Sequence, residues 1–139
     1  MNYDVVRRND GSWGLGEGQF HVDLPPKITY DCVCVGNGKF QLKLTVTWYI
    51  RIFYGSKSQL KHENGHLAIL QDQFDSRKLY YQNTYEQVYP SKEACDKASW
   101  DIRDQVNIDL QKDYVTQGKL QAAHDDWFEQ IFQWWPWHH

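Results

Sequence analysis

Residues 40–54 read FQLKLTVTWYIRIFY, and this stretch decides the fold class. Apolar and polar side chains alternate along it, and the alternating residues include many β-branched and aromatic ones, which is typical of a half-buried β-strand. A similar alternation covers residues 27–35, and the intervening Gly36-Asn37-Gly38 is a strong turn signal. We therefore predict an antiparallel hairpin over residues 27–54, preceded by an irregular segment over residues 1–27.

The pattern becomes helical after Gly55. Residues 57–85 contain no proline and a single glycine, Gly65, and their apolar residues recur at helical spacing. Ser56 or Ser58 can cap the start of this helix. The hairpin leaves an apolar face that needs a cover, and a helix that follows it can supply one.

Two further helices are expected after Tyr89-Pro90-Ser91. Apolar residues that step by four predict a helix from Ser91 to about Tyr114, and Gly118 marks the next break. A third helix is predicted from Leu120 to Ile131. The whole chain, residues 1–139, is therefore predicted to be a single α+β domain with an N-terminal hairpin followed by three helices.

Composition excludes several classes of protein. The chain has 139 residues and a formal net charge of -3, without a dense basic run, so nucleic acid is not an expected partner. No apolar stretch approaches the length of a membrane span. The N-terminus lacks an apolar signal region, so the protein is either cytosolic or begins after a removed signal.

The three cysteines leave two interpretations open. Cys32 and Cys34 lie two residues apart on a predicted strand, so they share a face but are poorly placed to bond each other. Either of them can pair with Cys95, which closes a long loop and contributes about 4 kcal/mol through chain entropy. The alternative is three buried thiols in a reducing compartment.

The first predicted helix carries Lys61-His62-Glu63-Asn64-Gly65-His66, which contains the pattern His-Glu-x-x-His. Two histidines four residues apart on a helix lie on one face, so both imidazoles can reach one metal ion. The intervening glutamate can act as the general base on a metal-bound water. The motif therefore predicts a zinc site with ligands His62 and His66 and with Glu63 as the catalytic residue.

A catalytic zinc ion usually has three protein ligands and one open position. His124 is the first candidate for the third ligand, because it interrupts an otherwise apolar helix face; the alternative is a core histidine bonded to the backbone. Further candidates are Asp109, which lies on the packing face of the second helix, and Asp113, Asp125 and Glu129. Asp101, Asp109 or Asp125 can orient a ligand imidazole.

A hairpin followed by a helix with His62-Glu63-Asn64-Gly65-His66 resembles the layout of zinc-dependent metalloproteases of the zincin type. The chain more closely resembles a bacterial family described as predicted secreted zinc-dependent proteases, over roughly residues 28–130. The shared features include the helix that opens near Cys95 and the segment Gln121-Ala122-Ala123-His124-Asp125. The resemblance implies zinc as cofactor, a peptide or protein substrate, and a secreted or periplasmic location.

A second class of function competes with the protease. Seven Trp residues in so short a chain are also typical of a non-catalytic module that binds protein or carbohydrate through an aromatic surface. Such a module can carry a structural zinc ion, with all four ligand positions filled by protein. Metal analysis separates these alternatives.

Overall fold

The computed structural model describes residues 1–10, 18–121 and 134. The described chain forms a four-stranded mixed sheet and three helices, with three of the strands before the first helix, which confirms the predicted α+β class. The elements in chain order are β1 (Asn2–Asn9), β2 (Gln19–Gly36), β3 (Lys39–Tyr54), α1 (Lys57–Tyr85), β4 (Val88–Tyr89), α2 (Lys92–Asp101) and α3 (Arg103–Leu120).

The long strand β3 lies at the centre of the sheet. It pairs along one edge with β2 in antiparallel fashion, as the hairpin prediction required. The other edge of β3 is shared by β1, which runs parallel to it, and by the short antiparallel strand β4. Gly36, Asn37 and Gly38 make the hairpin turn with φ angles of 99°, 54° and 73°, a region that favours glycine and asparagine.

The prediction of an irregular segment over residues 1–27 is wrong for its described part. Residues 2–9 form β1 and residues 19–27 belong to β2, while the glycine-rich residues 11–17 lie outside the described chain. β2 continues past Pro25 and Pro26 with a shift of register between Asp23 and Lys27. β1 has no fully buried residue, so its alternation is too weak to identify from sequence.

The first helix was predicted at the bounds that α1 has, and Ser56 caps it by accepting a hydrogen bond from the Gln59 N–H at 3.2 Å. The single second helix predicted from Ser91 to Tyr114 is wrong, because the structure divides it at Ile102 into α2 and α3. Neither proline nor glycine marks this position. The predicted break at Gly118 is also wrong, since α3 continues to Leu120. The third predicted helix begins at Leu120, and nearly all of it lies outside the described residues.

The core lies between one face of the sheet and the helices α1 and α3. Trp48 of β3 is fully buried and packs against Phe74 of α1, Tyr114 of α3 and Trp134, with ring centroids 4.4, 5.7 and 6.1 Å away. Burial of large aromatic rings supplies much of the stability of a small domain, about 3–5 kcal/mol for each one lost to alanine. In the described segments, no helix is both long and apolar enough to span a membrane.

A disulfide bond joins Cys32 of β2 to Cys95 of α2, with a Cα–Cα distance of 6.0 Å. This pairing decides between the alternatives that the sequence left open, and it leaves Cys34 as an exposed free thiol. The bond ties α2 to the hairpin, whereas α3 packs on α1. The division at Ile102 separates these two packing surfaces.

Candidate metal centre

The two motif histidines lie in the first turns of α1 with their side chains turned toward each other. Their Nε2 atoms are 3.2 Å apart and their ring planes are nearly perpendicular, at 87°. His62 is exposed, while His66 retains 8% of its surface. The pair is therefore open to solvent on the His62 side and anchored in the protein on the His66 side.

The spacing of the two nitrogens matches that of two ligands on one zinc ion. Two Zn–N bonds of about 2.0–2.1 Å at a tetrahedral angle place the nitrogens about 3.3–3.4 Å apart. The 3.2 Å separation of the two Nε2 atoms, at which one ring N–H can also donate to the other ring nitrogen, is close to this value. The donor set, two imidazole nitrogens four residues apart, suits zinc.

Gln121, which caps the C-terminus of α3, fixes the orientation of His66. Its Oε1 atom is hydrogen-bonded to the Nδ1 atom of His66. Because an amide oxygen can only accept, Nδ1 carries the proton, and in the neutral imidazole Nε2 then keeps its lone pair. A partner of this kind holds the tautomer that a metal ligand needs.

Glu63 is buried between α1 and the start of β2, with 1% of its surface exposed. A Cβ atom added to Gly18 would lie 3.0 Å from the Cγ of Glu63 and 2.8 Å from the carbonyl oxygen of Phe53. Only glycine leaves room for this packing. Gly18 thus allows β2 to cover the motif glutamate and to shield it from bulk water.

Asn64, between the histidines, links the motif to the sheet. Its Oδ1 atom accepts a hydrogen bond from Nε of Arg7 in β1 at 3.0 Å. On the other side of the motif, the ring of Phe20 in β2 lies 6.0 Å from that of His66. Both outer strands of the sheet therefore contact the turn of α1 that carries the histidines.

Asp109 and Asp113, which were candidates for the third ligand, are at the other end of α1. Asp109 accepts hydrogen bonds from Tyr85 and from Tyr80, and Asp113 accepts one from Tyr81. Tyr85 is 19 residues beyond His66, which is about 28 Å along a helix. Neither carboxylate reaches the histidine pair, so these two predictions are wrong.

The remaining candidates, His124, Asp125 and Glu129, lie outside the described residues. Among the residues that are described, no group of three or more His, Cys, Asp or Glu side chains is arranged to hold a metal ion. Within the described residues, the candidate site thus offers two nitrogen donors, those of His62 and His66. Gln121, which contacts His66, precedes His124 by three residues in the sequence.

The residue that orients His66 was not among the acidic residues predicted for that role. Asp101 forms an ion pair with Lys97, and Asp109 binds the tyrosines described above. The sequence does contain a signal for Gln121. The packing stripe of α3 changes from apolar Val106 and Leu110 to buried Gln117, and the same face continues to Gln121. A buried amide on a packing face requires a polar partner.

Comparison with protein-family models, curated proteins and solved structures finds no match for this chain. The interpretation of the site therefore rests on its geometry.

Proposed function

We propose that the protein is a zinc-dependent hydrolase of peptide bonds, with His62 and His66 as two ligands of the metal and Glu63 as the general base. The observation that carries this proposal is the 3.2 Å separation of the two Nε2 atoms. The proton that Gln121 holds on Nδ1 of His66 supports it, because the lone pair of the neutral imidazole is then on Nε2, the atom that faces His62.

Each residue of the site has a defined task in this reaction. A bound zinc ion supplies Lewis acidity for the peptide carbonyl and for a water molecule. A carboxylate oxygen of Glu63 accepts a proton from the attacking water and delivers it to the leaving amine. Gly18 and the start of β2 shield Glu63 from bulk water, which strengthens its interactions with charge in the site.

The third ligand in this proposal comes from the chain that follows Gln121. His124 remains the first candidate, with Asp125 and Glu129 as alternatives. Imidazole and carboxylate groups are both found in three-ligand catalytic zinc sites. The proposed location is secreted or periplasmic, and the Cys32–Cys95 disulfide supports it because such bonds persist in oxidising compartments.

The substitution Glu63→Gln separates catalysis from metal binding. The two side chains are nearly isosteric, so we expect the variant to fold and to keep its metal. Loss of proton transfer should reduce the cleavage rate by about 10²–10⁴-fold. The measurement is cleavage of an unstructured protein substrate by zinc-loaded wild type and variant.

Glu93→Gln makes the same chemical change at an exposed position in the first turn of α2, and this control should cleave at the wild-type rate. Equal rates for Glu63→Gln and wild type at equal zinc content would remove Glu63 as the base. Zinc-loaded wild type that cleaves no substrate would contradict the hydrolase.

A non-catalytic binding module is the second candidate, and Trp100 is the observation in its favour. This side chain is 69% exposed, and one of its faces stacks on the guanidinium of Arg103 at 4.0 Å. A rigid, exposed indole is a suitable platform for a sugar ring or a peptide. Trp100→Ala should abolish binding in a module of this kind and should leave peptide hydrolysis unchanged.

A further inference from the structure

The outer edge of β2 presents backbone hydrogen-bonding groups to solvent, and the register of the sheet shows which residues supply them. On the far side of β3, the Leu42 N–H donates to the Gln87 carbonyl at 3.0 Å and the Leu44 N–H donates to Glu86 Oε2 at 2.8 Å. These residues of β3 therefore point away from β2. Directly opposite residues of an antiparallel pair either bond each other or both point outward.

The β2 residues that lie opposite Leu42, Leu44 and the alternate residues of β3 on either side of them therefore direct their backbone N–H and C=O groups to the outer edge. The pairs are Ile28 with Val46, Tyr30 with Leu44, Cys32 with Leu42, and Cys34 with Phe40. Within the described ranges, no strand pairs with this edge. The edge thus offers four N–H and four C=O groups over a continuous stretch. An open edge of this length is a template for another strand.

The side chains around the edge are suited to a partner with complementary charge. Lys27 and Asp31 are both exposed and lie on the face of the sheet away from the helices, four residues apart. On the other face, the guanidinium of Arg103 lies 4.4 Å from the ring of Tyr30 and 4.0 Å from that of Trp100. This stack places the exposed Trp100 beside the edge strand. Charges and an apolar ring therefore flank the open backbone.

We propose that the occupant of this edge is a second copy of the chain, which pairs β2 with β2 in antiparallel fashion about a two-fold axis at Tyr30. In this register Thr29 lies opposite the partner's Asp31. Lys27 lies diagonal to the same partner carboxylate, a distance that a lysine side chain spans. The two-fold axis repeats both contacts, since such an interface uses the same patch on each subunit.

The neighbouring register explains the choice of axis. An axis at Asp31 would use all four outward-facing residues but would set Asp31 directly against the partner's Asp31. Like charges that face each other across a sheet are destabilising. The axis at Tyr30 keeps three outward-facing residues, Ile28, Tyr30 and Cys32, in the ladder and brings opposite charges together.

Sedimentation equilibrium of the oxidised full chain tests association, and the native thiol tests the register. Cys34 is the single cysteine outside the disulfide, so a spin label attaches there without any substitution. In the proposed dimer the two labelled positions are offset by eight residues, or about 27 Å. Dipolar spectroscopy should give a distance near this value.

Charge reversal tests the contacts. Lys27→Glu should weaken dimerisation about tenfold, because it turns both diagonal attractions into repulsions. Adding Asp31→Lys to that variant should restore most of the affinity. Lys39→Glu is the matched control, an equal change of charge at the exposed end of the hairpin, and it should dimerise as wild type does.

Three results would overturn the proposal. One is a wild-type chain that stays monomeric at every concentration tested. A monomeric chain that binds an added extended peptide at this edge counts as the same result, because the occupant is then not a second copy. Another is a label separation that places the axis elsewhere. The third is a dimer that is equally stable with Lys27→Glu and with Lys39→Glu.

Discussion

At the scale of single residues, the site depends on how His66 is held. His62 is exposed and contacts the outer side of His66 in the pair, whereas His66 is buried and hydrogen-bonded to Gln121. The bond fixes both the ring orientation and the tautomer of His66. The geometry of the histidine pair is therefore set from the buried side, by a residue 55 positions away in sequence.

This arrangement predicts the effect of Gln121→Ala. Loss of a hydrogen-bonding partner behind a metal-ligating histidine typically costs about 10–100-fold in metal affinity. We expect a decrease of that size in a zinc competition titration. Gln82→Ala, at an exposed position on the same helix as the histidines, should leave the affinity unchanged. Equal affinities for the two variants would show that Gln121 has no role in orienting the ligand.

The sequence indicated the candidate residues that lie close together in α1, but it did not indicate Gln121, which is distant in sequence. His62, Glu63 and His66 are related by helical spacing alone, and α1 formed where it was expected. Gln121 meets His66 only because α3 packs antiparallel to α1, which no local pattern records. Asp109 was selected for its packing face, and the same packing brings it to Tyr85, far from the histidines.

At the scale of elements, α1 and α3 are joined by tyrosine hydroxyl groups that donate to buried carboxylates. Tyr85 donates to Asp109 and Tyr81 donates to Asp113, which also pairs with Arg77 at 3.1 Å. Burial, reinforced by the bonds to these carboxylates, raises the pKa of both tyrosines well above the usual range.

The raised pKa values predict a loss of stability in alkali. The unfolded chain releases the two phenolic protons near pH 10, whereas the folded chain retains them at higher pH. The contribution of these two tyrosines to the free energy of unfolding is therefore fully present below pH 10. Above pH 10 it decreases by about 1.4 kcal/mol per pH unit for each tyrosine. Urea unfolding at a series of pH values above 9 measures the slope.

Tyr81→Phe/Tyr85→Phe should be less stable than wild type at neutral pH, because two buried carboxylates lose a donor. Its free energy of unfolding should then fall less steeply above pH 10. An alkaline slope identical to that of wild type would contradict this account of the helix pair.

The elements were predictable to different degrees for physical reasons. The β2–β3 hairpin and α1 carry strong periodic patterns, and both were found. β1 is polar and exposed along most of its length, and it is held by pairing with β3 rather than by its own pattern. The division at Ile102 follows from packing, because α2 is bonded to β2 while α3 covers α1.

At the scale of the whole molecule, the Cys32–Cys95 bond ties α2 to the β2 strand of the sheet. Cys95 is fully buried, and the bond closes a loop with a sequence separation of 63. A loop of this size corresponds to about 4 kcal/mol of lost entropy in the unfolded chain.

Cys32→Ala/Cys95→Ala should therefore lower the free energy of unfolding by about 4 kcal/mol in a denaturant titration. Cys34→Ser, which removes the exposed thiol, should change it by less than about 0.5 kcal/mol. A double variant as stable as wild type would mean that the bond is dispensable for the fold.

Zinc content tests the central claim of this account most directly, since every proposed step of the chemistry depends on the histidine pair. The measurement is elemental analysis of a chain that lacks His138 and His139, because adjacent terminal histidines bind metal themselves. We predict about one zinc ion per chain in this background. The control is its His21→Ala variant, which should also bind one zinc ion, because the His21 side chain pairs with Asp23 at 3.0 Å and is not part of the proposed site. We predict that His62→Ala/His66→Ala loses the metal. A full equivalent of zinc in that double variant, or none in the parent chain, would contradict the proposed site.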